Sequence, residues 1–155
     1  MHAYLCLLLK PMALKILVLS TTNSTLGPMT QGFLDYYSSK KTQVLSAGIN
    51  PLPIHSMALK VMDSLGIPVE TSRMNFTDVE KITFDYIITF SDQAHQLANE
   101  KAKKAKVFHL KMGDLDKTRG TDKELKIAFK SSRKELQEYC IEFAEQYLQK
   151  KTKKS

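Results

Sequence analysis

Short apolar runs alternating with helix-length amphipathic segments constrain this chain more than anything else in it. Residues 15–19 (KILVL) form a continuous apolar run, suited to a strand buried on both faces. A polar loop follows, then Gly-Pro opening a helix over 28–37, with proline in the first turn, where a missing N–H costs little. The string TQVLSAGI predicts a second strand ending at Gly48. Ile54, Met57, Ala58, Val61, Met62 and Leu65 then recur at helical spacing up to a stop at Gly66. A short helix is predicted over 77–81, a third strand over 85–90, a longer helix over 93–105 and a fourth strand over 106–110. The last helix, about 122–149, has an inward stripe of Leu125, Phe129, Leu136, Tyr139 or Cys140, Phe143 and Tyr147. Strands interleaved with helices imply an α/β fold: a parallel sheet of about four strands, covered by helices on both faces.

In such sheets ligands sit beyond the carboxyl ends of the strands. That places the loop of residues 20–27 where a site belongs. A strand, a tight loop and a helix N-terminus together make an anion cradle, because successive N–H groups and the positive helix end point into one concavity. Ser20, Thr21, Thr22, Asn23, Ser24, Thr25, Leu26 and Gly27 are the candidate anion-binding residues, with Asn23, Ser24 and Thr25 adding side-chain donors. The loop has no cysteine, lysine, arginine or histidine. Thr22 is a β-branched residue, poorly suited to positive φ, and its presence argues for a looser loop.

The string LSTTNSTLGPMT (19–30) resembles the C-x5-R loop of the low-molecular-weight protein tyrosine phosphatases and of the thioredoxin-coupled arsenate reductases that share their fold. Thr21, Asn23, Ser24, Pro28 and Met29 match the family pattern V-C-T-G-N-S-C-R-S-P-M-A. LSAGINPLPIHSMALKVMDSLGI, FDYIITFSD and VFHLKMGDLDKTRGTDKELKIAFKSSRKEL are similar, in order, to later segments of the reductase branch. The resemblance covers nearly all of residues 14–145. It implies a three-layer, phosphotyrosine protein phosphatase I-like fold with a four-stranded parallel sheet.

The same resemblance puts the family's nucleophilic cysteine at Ser20, its phosphate-gripping arginine at Leu26 and a further reductase cysteine at Ser91. Asp114 matches the family's general acid, with Leu115 where a proline is usual. A thiol can be ionised by a ring of N–H donors, whereas a serine hydroxyl needs an adjacent base. His55, His95 and His109 lie on other elements, and Arg73 on a loop reads as solvated. The expectation is a catalytically inactive domain that binds an oxyanion such as phosphate or sulfate, a phosphorylated ligand or a protein partner. Two alternatives stay open: a phosphatase with altered chemistry through Ser20, and an interaction module using Lys-rich surfaces. No metal or cofactor is called for.

The net charge of +7 is concentrated in KAKKAK (101–106) and the tail QKKTKKS (149–155). Neither run holds an aromatic residue on which a base would stack, so nucleic acid is disfavoured as a partner. Two cysteines, Cys6 and Cys140, make no disulfide framework and fit a reducing, cytoplasmic setting, with Cys140 as a small buried hydrophobe. The apolar run at 3–9 is too short to span a bilayer, and no membrane association is expected. Residues 1–11 read as a leader or upstream start, 12–149 as the domain and 150–155 as a basic tail.

Overall fold

The structure, a computed structural model, describes residues 13–148. The leader and tail expected from sequence lie outside the described residues. In chain order the elements are β1 (Lys15–Ser20), α1 (Leu26–Tyr37), β2 (Gln43–Gly48), α2 (Ser56–Asp63), α3 (Phe76–Val79), β3 (Tyr86–Thr89), α4 (Asp92–Lys101), β4 (Lys106–His109), a 3-10 turn (Leu115–Lys117) and α5 (Asp122–Tyr147). The sheet has four parallel strands in the order β2-β1-β3-β4. From β1 the chain crosses outward to β2 and later returns to the other side of β1 with β3. The carboxyl end of β1 is therefore a topological switch point.

Alternate residues of β1 point to opposite faces, and each face has its own core. Ile16 and Val18 join Phe33, Met62, Phe129 and Leu136 beneath α1, α2 and α5. Leu17 and Leu19 join Phe76, Ile87, Ala94 and Ala98 beneath α3 and α4. On α5, Phe129, Leu136, Cys140, Phe143 and Ala144 are buried, whereas Leu125, Tyr139 and Tyr147 pack at the margin. The Cys140 thiol is fully buried, and desolvation pushes its pKa upward.

Several boundaries differ from the sequence reading, among them that of α3, which runs over Phe76–Val79 rather than 77–81. α1 starts at Leu26, so Pro28 is the third helical residue and still lies among the N–H groups that a helix leaves unpaired. α2 starts at Ser56 because His55 caps it, its Nδ1 accepting from Met57 N at 3.0 Å. α4 stops at Lys101, four residues early: β4 starts at Lys106, and the chain turns through Ala102, with Ala105 N donating to Ala102 O at 3.1 Å. Lys103 and Lys104 thus lie on an exposed turn rather than on a helix face. Gly66, at φ +72°, ends the α2 segment in the left-handed conformation that favours glycine.

Candidate functional site

The loop after β1 is shaped by bonds that pull its carbonyls outward. Ile49 N donates to Ser20 O (3.1 Å), Asn50 N to Thr21 O (2.8 Å), Leu52 N to Thr22 O (2.9 Å) and His55 N to Ser24 O (2.9 Å). In a planar trans peptide the N–H points opposite to its C=O, so the following amides are turned inward. The loop's carbonyls are thus tied to residues 49–55. The one positive φ in the loop falls on Asn23 (52°), not on Thr22, so the β-branched residue carries no left-handed strain. Asparagine tolerates that region well.

The cup is a cavity of about 110 Å³ lined by Ser20, Thr21, Thr22, Ser24, Thr25, Leu26, Phe90, Ser91, Met112, Gly113, Asp114 and Asp116. Six of the eight loop residues named from sequence line it, and Asn23 and Gly27 do not. Asn23 turns away into the fold: its Nδ2 donates to Ser46 Oγ (3.2 Å), which donates to Gln31 Oε1 (2.8 Å), while Gln31 Nε2 donates to Val44 O (2.9 Å). The side-chain donor assigned to Asn23 is thus spent on holding the loop to β2. Asn23 Oδ1, buried without a partner, lies against Gly27.

Ser20 Oγ accepts from Asn23 N at 3.0 Å, and no basic side chain is bonded to it among the described residues. His55 is engaged in its cap and packs on Phe129, with ring centroids 4.8 Å apart. His95 and His109 stack 4.5 Å apart around the buried Thr89, and His109 Nε2 faces Asp92 Oδ1 at 3.3 Å. Arg73 is exposed. Leu26 is 7 % exposed and belongs to the larger core. Thr21 Oγ1 donates to Ser91 Oγ (2.9 Å), and Ser91 Oγ in turn accepts from Ala94 N (3.1 Å) to cap α4.

Asp114 and Asp116 both line the cup, and the carboxylate hydrogen-bonded to the loop is that of Asp116. Asp114 Oδ1 accepts from Asp116 N (3.1 Å), and its other oxygen lies 3.9 Å from Lys117 Nζ, so it caps the 3-10 turn. Asp116 accepts from the hydroxyls of Ser24 (2.9 Å), Thr25 (2.7 Å) and Thr22. Leu115 explains the offset. It is 5 % exposed and anchored in the larger core, so the turn it starts carries the next side chain inward over the loop. The D-x-D spacing marks a second carboxylate beside Asp114 but not which of the two turns toward the loop.

A larger hollow, about 490 Å³, lies near the amino-terminal ends of β3 and β4, lined by Phe76, Phe84, Ala102 and the side chains around them. It is at the wrong end of the sheet for a strand-end site. None of the described helices is long and apolar enough to cross a membrane, and no group of three or more metal-ligating side chains occurs among the described residues.

The chain is 27 % identical over 131 residues to an arsenate reductase from Shouchella clausii, covering 84 % of this chain and 94 % of that protein. Its fold is similar to that of Vibrio vulnificus Wzb in complex with benzylphosphonate (TM-score 0.70, 19 % identity, covering 86 % of this chain and 99 % of the other). It is also similar to a mutant YwlE arginine phosphatase with a phosphorylated active site serine (TM-score 0.68, 21 % identity, 90 % and 98 % covered). Residues 15–154 match the sequence model described as low molecular weight phosphotyrosine protein phosphatase. With the parallel sheet, the strand-end loop and that match spanning most of its length, the chain belongs to the low molecular weight phosphotyrosine protein phosphatase family.

Proposed function

We propose that this protein is a catalytically silent member of its family, working by binding rather than by turnover. The proposed ligand is an oxyanion, taken free or as part of a phosphorylated ligand or protein partner, and the proposed setting is the cytoplasm. The observation that carries the reading is at Ser20, whose hydroxyl accepts a loop N–H and has no basic side chain bonded to it among the described residues. A hydroxyl in that position is a weak nucleophile, since nothing takes its proton. Leu26 adds to this: it puts a buried alkyl group where the resemblance calls for a guanidinium to hold a transferring phosphoryl group. What remains for binding is the inward-facing amides, the start of α1 and the loop hydroxyls.

The test is hydrolysis of an aryl phosphate by the wild-type protein and by Ser20→Ala. No turnover above the Ser20→Ala background is expected. Amide NMR during titration with inorganic phosphate is expected to move resonances of residues 20–27, with an affinity of about 1 mM, equivalent to about −4 kcal/mol. A relative was solved with a phosphorylated active site serine, so mass spectrometry after incubation with the aryl phosphate forms a second arm. Turnover abolished by Ser20→Ala, or a phosphoryl adduct on Ser20, would establish altered chemistry instead of silence.

A further inference from the structure

We infer that the cup is a self-liganded carboxylate site: Asp116 is its resident anion, and an external oxyanion binds only by displacing it. The inference rests on the reading of the cup as an anion site and adds which anion holds it and how it is controlled. Three hydroxyls from the loop, those of Thr22, Ser24 and Thr25, converge on the two oxygens of one carboxylate. Ser24 is 7 % and Thr25 4 % exposed, so these donors are interior groups with little water to turn to. Thr25 is the residue before α1, where a threonine hydroxyl ordinarily caps the helix. It makes no such bond and donates to Asp116 instead.

The carboxylate is delivered by backbone that is itself fixed. Leu115 anchors the turn in the core, Asp114 Oδ1 accepts the Asp116 N–H, and Arg119 Nη1 donates to Asp116 O (3.0 Å) and Thr118 O (3.1 Å). A side chain held at its own backbone and met by three donors is a built contact.

Charge sets the ligand class. Among the described residues, no lysine, arginine or histidine side chain hydrogen-bonds to the cup's hydroxyls or to the Asp116 carboxylate. Hydroxyls and helix-end amides match a planar monoanion, whereas a phosphate dianion entering beside Asp116 would place like charges in contact with no cation between them. Anion binding therefore requires the Asp116 side chain to turn out of the cup, while its backbone stays held by Asp114 and Arg119. Occupancy of the cup is thereby coupled to whether the Asp116 carboxylate lies in it or outside it.

The experiment compares the wild-type protein with Asp116→Ala, Asp116→Asn and Leu115→Ala, each titrated with inorganic phosphate and with acetate and followed by amide NMR and thermal melting. The isosteric Asn variant keeps the test available should the alanine variants fold poorly, and Leu115→Ala loosens the turn without touching the cup. The affinity seen for phosphate is the intrinsic one reduced by the fraction of molecules with an open cup, so the Asp116 variants are expected to bind about tenfold more tightly if Asp116 fills it nine-tenths of the time. Acetate is expected to raise the Tm of Asp116→Ala and not that of the wild type. Equal phosphate affinity in all four proteins would overturn Asp116 as the resident ligand while leaving the cup an anion site. No binding in any of them would overturn the anion site itself.

Discussion

A single methyl group at position 27 would stand 2.2 Å from Asn23 Oδ1 and 3.1 Å from Ser20 Oγ. The nearer distance is far inside van der Waals contact, and Asn23 cannot swing clear because its amide is tied to Ser46 and, through it, to Gln31. Gly27→Ala is expected to destabilise the protein by about 1–3 kcal/mol and to break the Asn23 N to Ser20 Oγ bond. Urea unfolding measures the first effect and amide exchange at Asn23 the second. At this scale the sequence was only half legible. That the loop would be polar and backbone-lined could be read from its small residues. Which polar groups face the cup could not, because Asn23 and Ser24 are both small and polar, and it is the left-handed turn at Asn23 that sends one inward to β2 and leaves the other on the cup. Asp116 was hidden for a similar reason: its role depends on Leu115 being core rather than loop, which no local pattern around KMGDLDK reveals.

The elements themselves were readable because each carries its own stop and start. α5 is the clearest: Thr121 and Glu124 form a reciprocal capping box, Glu124 N donating to Thr121 Oγ1 (3.1 Å) and Thr121 N to Glu124 Oε1 (2.8 Å). Thr121→Ala is expected to cost about 1 kcal/mol and to lower the melting temperature by about 2–4 °C, checked by calorimetry. By contrast, α1 begins with no side-chain cap bond, its threonine being committed elsewhere. The misjudged end of α4 has an equally local cause. Lysine and alanine are good helix formers, so KAKKAK reads as more helix until the need to enter β4 at Lys106 forces a turn. The 3-10 turn was invisible because three residues carry no period.

For the molecule as a whole, the parallel sheet follows from the alternation of strands and helices, whereas alternation leaves the strand order open; the two cores lie on the two sides of β1. Long-range charge is less predictable. Asp35 on α1 and Glu70 on the loop after α2 are far apart in sequence. Partial desolvation of Asp35, reinforced by the Glu70 charge, pushes its carboxyl up from 3.8 to about 6. An acid with a raised folded-state pKa favours the native state while protonated, so its contribution is fully present below about pH 4 and is lost as pH rises through about 6. Asp35→Asn is therefore expected to raise the melting temperature above pH 6 and to leave it unchanged below pH 4, measured by thermal melts across that range. The fate of Leu26 also belongs to the molecule, since its side chain is packed with Phe33, Leu115 and Phe129 in one cluster. Leu26 also lines the cup, so a longer, charged side chain at that position has to extend along the cup, because the hydrocarbon beneath would leave the charge unpaired. One side chain thus serves cup and core at once, and a change made for either is felt by the other.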